Sequence, residues 1–482
     1  MKRLLACLLW LCLAPTADAI EGRRAGLRPC HVEGLAEEVL CGSVDVPERR
    51  TGPAGTRIRL AVAVLPATTR ARADDPVFLL AGGPGQGARL LAGPAARAFR
   101  ALRRSRDLVL VDVRGTGGSG ALSFSPGADE LGDLLGGGVG NADRLAAERD
   151  RLLADPAPYD TEAIVADLED VRSALGCRRV NLWGGSYGTR VAQLWARRHP
   201  DAIRSVVLDG AAPLAMPLPL FMARDAETAL DGLLTRCERD AACAAKHASF
   251  RRDLASVLAR FSNGPISVAL RDPRNGVPRP ALLTRTGFVA GLRAALYVPR
   301  HAALVPLVVA AAARDDYGPL AALLSEGAAW SVETMALGMT LSVLCTEDVP
   351  RLDPPRIARE TAGTFVGTAM AEAWREACEV WPRGAPPRGF DEHVVVPVPA
   401  LILSGGRDPV TPPIRGDEMA GSFSPATHVV VPEAGHGSSF LGCVPRLIAG
   451  FIERGTGEGL DAACVKSIPA VPVALGPEGG RL

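Results

Sequence analysis

Residues 180–188 read VNLWGGSYG, and their reading decides the architecture. A short apolar run, Val180–Trp183, stops at Gly184-Gly185-Ser186-Tyr187-Gly188, and a helical pattern over 187–198 follows. A G-x-S-x-G set between a strand and a helix is a turn so tight that side chains two before and two after the serine would collide, which accounts for Gly184 and Gly188. The turn lifts Ser186 clear of the sheet as a nucleophile. It also aims the backbone N–H of Tyr187, at the helix start, where an oxyanion would develop.

The same punctuation recurs outward from this point. PVFLLA (76–81) stops at GGPGQG, DLVLVDV (107–113) at RGTGGSG, Ser205–Leu208 at DG, Ala400–Ser404 at GGRD, and His428–Val431 at PEAGHG. Ile58–Leu65 reads as a further extended segment, and 161–175 as a helix. Short apolar runs that each end in a Gly-rich loop and alternate with helices predict a mostly parallel sheet buried on both faces, with the chemistry just past the strand ends. The alternation breaks between about residues 211 and 390, where Ala/Leu/Arg-rich helical patterns dominate. The organisation expected is therefore a leader at 1–19, a first part of the core at 20–210 with the nucleophile, a mostly helical cap at 211–390, and a second part of the core at 391–482. Residues 126–142 are Gly-rich and read as a surface loop. The arginines at 97, 100, 103, 104 and 106 read as a solvated helix face.

A serine nucleophile needs a base, and the chain has 7 histidines. His31, His199, His247, His301, His393 and His428 fall near the amino terminus, at helix ends, beside the cap or in a strand. His436 sits in the Gly-flanked loop EAGHGSS directly after the final strand, within reach of Ser186 across the sheet top. Asp408, in LILSGGRDPVTP, follows the penultimate strand in the same way and is the acid expected to hold the imidazole tautomer. Asp209 in VVLDG is its rival, and reads better as a structural hydrogen-bond acceptor. Gly83, in the GGPG loop after the PVFLLA run, is placed to offer a second oxyanion N–H.

Composition narrows the field. With 48% hydrophobic and 22% charged residues the chain is neither disordered nor collagen-like, and a formal charge of +1 supplies no field for nucleic acid or anionic lipid. Lys2-Arg3, an apolar run to Ala14 and Ala17-Asp18-Ala19 have the layout of a cleaved secretory signal, and no later stretch predicts a membrane span. The expected location is thus secreted or periplasmic. Of 11 cysteines, Cys7 and Cys12 lie in the leader, so an odd number remains where disulfides can form. Local spacing suggests Cys30–Cys41, Cys237–Cys243, Cys345–Cys378 and Cys443–Cys464, with Cys177 a buried, inert thiol. No CxxC pair and no two histidines at ligand spacing occur, so neither metal nor cofactor is expected.

GGPG, DVRGTGGSG, GGSYGT, GGRDPVTP and AGHG, in this order, together resemble the proline iminopeptidase and tripeptidyl aminopeptidase branch of the α/β-hydrolase serine peptidases, the secreted tripeptidyl aminopeptidase-like members above all. The resemblance covers about residues 30–465. The order Ser186, Asp408, His436 is the one that fold uses. Ala81 stands where iminopeptidases have the histidine of HGGPG, which speaks against a strict proline iminopeptidase. The resemblance implies an exopeptidase whose substrates are peptides with a free amino terminus, and a carboxylate near the cap's return to hold the ammonium group. Glu347 and Asp348 in SVLCTEDVPR are the candidates. A carboxylesterase of the same fold is the alternative, and a catalytically inert binding module a more distant one.

Overall fold

The computed structural model describes residues 26–50, 55–124, 142–271, 276–324 and 334–476. The expected leader at 1–19 and almost all of the Gly-rich stretch 126–142 lie outside the described residues.

Among the described residues, eleven strands form two sheets. The larger has nine, in the order β1 (Arg28–Cys30), β2 (Val39–Pro47), β3 (Arg57–Leu65), β5 (Leu108–Val111), β4 (Val77–Leu80), β6 (Val180–Gly185), β7 (Ile203–Asp209), β10 (Ala400–Gly405) and β11 (Ala426–Val431). From β5 to β11 every pairing is parallel, and β1, β2 and β3 extend the sheet antiparallel at one edge. The parallel core read from the apolar runs is present, and β4 shows why those runs lack polar alternation. Val77 and Leu79 enter one apolar cluster, Phe78 and Leu80 the other, so both faces are covered.

Helices α1 (Thr161–Ala174) and α2 (Tyr187–Arg198) cover the Phe78 face. α1 starts at Asp160, whose side chain caps Ala163 N, and buries Ile164, Leu168 and Val171, a stripe of one helical face. Trp195 of α2 is fully buried, edge-on to Phe78 with ring centroids 5.4 Å apart. Between β7 and β10 the chain forms α3 (Met222–Arg239), α4 (Arg285–Leu296) and α5 (Leu337–Glu347), with further helices between and after them. This region has an apolar cluster of its own, including Leu230, Phe288, Leu292, Val309 and Leu320. It is not all helical, because β8 (Ile266–Arg271) and β9 (Pro278–Leu283) form an antiparallel pair there. The chain then returns through α6 (Pro413–Ala420) and ends on the opposite sheet face with α7 (Val444–Arg454), which buries Val444, Leu447, Ile448, Phe451 and Ile452 and stops at left-handed Gly455.

Disulfides join Cys30 to Cys41, Cys237 to Cys243, Cys345 to Cys378 and Cys443 to Cys464, and Cys177 lies buried outside them. The arginine run divides, and here the expectation of a solvated face is corrected. Arg97, Arg100 and Arg104 are exposed, but Arg103 pairs with Glu37, and Arg106 with Asp75 and Glu453, both arginines buried. Carboxylates from distant segments offset the desolvation of these two. Among the described residues no helix is long and apolar enough to cross a membrane.

Register then positions the site. Leu80 lies opposite Gly184, Gly185 opposite Asp209, Asp209 opposite Leu403, and Gly405 opposite Val431. The carboxyl ends of β4, β6, β7, β10 and β11 are thus level, and the loops they feed meet at one edge of the sheet.

Candidate active site

Ser186 links β6 to α2 with φ 54° and ψ −122°. Such a backbone costs a non-glycine residue about 1–3 kcal/mol and persists only where its surroundings enforce it. Three contacts do so. Ser186 N donates to Asp209 O at 2.8 Å, while Thr189 N (2.9 Å) and Thr189 Oγ1 both donate to Ser186 O. A Cβ on Gly184 would stand 2.4 Å from Gly188 O, and one on Gly188 2.1 Å from Leu80 O, so both flanking glycines are required by backbone contact.

His436 Nδ1 lies 2.7 Å from Asp408 Oδ2. Asp408 is 2% exposed; its Oδ1 accepts from Val410 N at 2.8 Å and Thr411 N at 2.9 Å, and its Oδ2 also accepts from Thr411 Oγ1 at 2.8 Å. Burial pushes its carboxyl up, but the His436 charge and these donors outweigh burial and hold it below the ordinary aspartate value. Burial likewise pushes His436 down, yet the attraction and hydrogen bond of Asp408 raise it above the ordinary histidine value. Asp209 plays a different part: its carboxylate accepts from Ser438 N, Ser438 Oγ and Ser439 N at 2.7–3.0 Å. It therefore moulds the loop that carries His436 rather than touching the imidazole through a hydrogen bond.

The backbone after β7 brings Ser186 and His436 together. Asp209 O holds Ser186 N, and a Cβ on the next residue, Gly210, would lie 3.1 Å from His436 Cε1. Among the described residues no hydrogen bond joins Ser186 Oγ to the ring, a separation common before substrate binds. The GGPG loop closes the other side. A Cβ on Gly82 would lie 3.1 Å from Ser186 Cβ, and one on left-handed Gly83 would meet Met335 Cε at 2.7 Å. Beyond Met335 opens a cavity of about 380 Å³ lined by Arg89, Asp112, Glu33 and His31 among others. Tyr187 is buried, with its hydroxyl 2.7 Å from Thr161 Oγ1.

Glu347 and Asp348 do not join this group. Glu347 accepts from Thr161 N at 2.6 Å and Thr161 Oγ1 at 2.8 Å, and burial pushes it up to about 8. Asp348 accepts from Arg190 on both oxygens at 3.0 Å, from Arg351 at 2.8 Å and from Leu218 N at 3.2 Å. Every oxygen of the two carboxylates is used inside the protein, and the residues are 1% and 0% exposed. The expectation that they receive a substrate ammonium group is withdrawn for that reason.

Sequence reasoning missed three residues in the surroundings of Asp408 and His436. Tyr297, between β7 and β10, accepts from His436 N at 2.9 Å through its carbonyl and stands edge-on to the imidazole, centroids 5.2 Å apart. Asp225 of α3 is 3% exposed, 3.6 Å from Arg415, and its Oδ2 has no hydrogen-bond partner. Burial pushes it up to about 7, with the Asp408 charge adding to the rise and Arg415 and Arg293 opposing it. Arg293 of α4 lies over the Tyr297 ring, 5.2 Å from its centroid. No motif marks any of them, since each stands in an ordinary helical or Ala-rich context.

A family model described as alpha/beta hydrolase fold matches residues 75–442. The serine protease Hip1 of Mycobacterium tuberculosis (strain ATCC 25618 / H37Rv) is 26% identical to the chain, across 88% of it and 87% of the relative. The tripeptidyl aminopeptidase of Streptomyces lividans is 30% identical across 40% of the chain and 39% of the relative. The proline iminopeptidase of Neisseria meningitidis serogroup B (strain MC58) is 29% identical across 32% and 35%.

Proposed function

The chain belongs to the alpha/beta hydrolase fold family, and from that premise we propose that it is a secreted serine peptidase that releases residues or short peptides from the free amino terminus of its substrates. The observation that carries the reading is the 2.7 Å contact of His436 Nδ1 with Asp408, which leaves Nε2 for the nucleophile. Ser186 Oγ attacks the scissile carbonyl carbon while His436 Nε2 takes its proton. The N–H groups of Tyr187 and Gly83 receive the oxyanion, and Asp408 holds the imidazolium that forms. The imidazolium gives its proton to the departing amine, leaving an acyl-enzyme on Ser186. Water, with His436 again as base, then hydrolyses the ester. Each half-reaction returns the proton it borrows.

The peptide and amino-terminal parts rest on the resemblance to tripeptidyl aminopeptidases and on the names of the relatives above. Secretion rests on the leader composition and on four disulfides. With Glu347 and Asp348 engaged internally, Asp225 becomes the acceptor for the ammonium group, because its Oδ2 is buried without a hydrogen-bond partner and lies within electrostatic reach of Asp408.

The test is a substrate panel. Wild type should cleave free-amine tripeptidyl substrates at least tenfold faster in kcat/KM than their acetylated forms, the worth of one charge-assisted contact. Asp225→Asn should erase that preference, and Ser186→Ala should abolish all turnover. Equal cleavage of blocked and unblocked substrates, with simple esters faster than both, would replace the aminopeptidase with a carboxylesterase.

A further inference from the structure

Among the described residues, the buried arginines other than Arg293 are matched: Arg103, Arg106, Arg114, Arg190 and Arg415 each pair with a carboxylate. Arg114, fully buried, shows the usual solution: its Nε and Nη2 form a fork that grips Asp167 Oδ2 and Oδ1 at 2.7 and 2.8 Å. Arg293 offers the same two nitrogens and grips nothing. Its Nε and Nη2 are both buried and both without a hydrogen-bond partner, and the residue is 5% exposed. Arg190, Arg236, Arg407 and Arg415 also carry an orphaned Nε, but each uses its other nitrogens in a hydrogen bond or ion pair. Among these described residues with orphaned guanidinium atoms, Arg293 alone has neither.

A buried cation without a counter-ion is a costly arrangement, and a guanidinium fork is shaped for one kind of acceptor, two oxygens in a plane. The position adds the functional sense. Arg293 lies on one face of Tyr297, and the edge of that ring meets the His436 imidazole. Its charge is felt at both Asp225 and His436. Asp225 itself is more than 4 Å away and keeps its own Oδ2 orphaned, so it does not fill the fork.

We propose that the unfilled fork of Arg293 is a substrate subsite that receives a carboxylate, making the enzyme selective for substrates that present an anionic group close to the scissile bond. The carboxylate comes either from an aspartate or glutamate side chain of the substrate or from the free carboxyl terminus of a short peptide. The inference builds on the serine hydrolase reading but not on the nature of the scissile bond.

Three matched pairs test it: peptides with Glu or Gln in the residues flanking the cleaved bond, short peptides with a free or amidated carboxyl terminus, and a hemisuccinate ester against its methyl-capped form. Wild type should prefer the carboxylate member of at least one pair by about tenfold to a hundredfold in kcat/KM, the range for one charge-assisted bidentate contact. Which peptide pair responds identifies the source. Arg293→Gln should bring that ratio close to one, and Arg293→Lys, which keeps the charge without the fork, should leave a reduced preference. Because the ratio is taken on one preparation, any loss of folded enzyme cancels. Equal rates within all three pairs in wild type overturn the subsite, as does a preference that survives Arg293→Gln, and the peptidase reading then stands unharmed. If no peptide is cut but the ester pair discriminates, the subsite stands and the peptidase reading falls.

Discussion

Two carboxylate clusters lie at comparable depth and behave oppositely. Asp408 is 2% exposed, Glu347 and Asp348 are 1% and 0%, and all three accept several hydrogen bonds. Asp408 is held below the ordinary aspartate value, whereas Glu347 is pushed up to about 8. Burial is the same in both places, so it cannot be the discriminator. The difference is the partner. Asp408 faces an imidazole that can gain a charge and pass its proton on. Glu347 faces Thr161, with Arg190 already claimed at shorter range by Asp348 (3.0 against 3.9 Å). One cluster holds an imidazole, and the other ties α2, the helix that follows Ser186, to the end of α5.

The largest effect should come from the imidazole side. Asp408→Asn keeps the shape but favours the wrong imidazole tautomer, and should lower turnover by about 10⁴ with the protein still folded. Asp209→Asn at equal folded fraction should cost far less, because Asp209 holds the Ser438–Ser439 loop and makes no hydrogen bond to the imidazole, and a reversed ranking in steady-state kinetics would exchange their roles. On the tying side, Asp348→Ala strands Arg190 as a buried charge. It should destabilise by about 3–5 kcal/mol in denaturant unfolding while leaving turnover per folded molecule near normal. A turnover loss as large as that of Asp408→Asn would put Asp348 back among the functional residues.

Glu347 gives a smaller, pH-resolved effect. Its folded value near 8 lies above its ordinary 4.5, so the folded state holds the proton more tightly. The stability this confers is complete below about pH 4.5, declines as pH rises, and is gone above about pH 8. Glu347→Gln should flatten the Tm profile across that window, and an unchanged slope would mean that Glu347 is ionised in the native state. The smallest effect concerns the base. His436 must be neutral to accept a proton, so kcat/KM should rise with pH through an apparent pKa above the ordinary value of about 6.5. Asp408→Asn should move the residual activity's pKa downward.

How much of this was legible follows from distance along the chain. The sheet was legible because each buried strand is a contiguous apolar run ended by its own Gly-rich loop, and Ser186, Asp408 and His436 stand immediately past such ends. The roles of Glu347 and Asp348 were not, since their partners Thr161 and Arg190 lie 186 and 158 residues away. Acidic residues beside a cysteine carry no local mark of where they point. The same holds for Arg103 and Arg106, whose carboxylates come from remote segments, and for Arg293, which in sequence is one more arginine on an Ala-rich helix. The hairpin β8–β9 was hidden because Pro278 and Pro280 fall inside what becomes an edge strand, where proline is tolerated.

The hydrogen bond from His436 N to the carbonyl of Tyr297 makes the inserted region a structural creditor of the base. It is a main-chain contact, so no side-chain substitution at position 297 removes it. Gly435, where a Cβ would come within 2.2 Å of the same carbonyl, keeps the two strands of chain at that distance. A chimera that imports the insertion of another hydrolase would therefore change more than the mouth of the site. Unless the graft restores a carbonyl at this spot, the catalytic loop loses an anchor, and a specificity swap would be misread as damage to the chemistry.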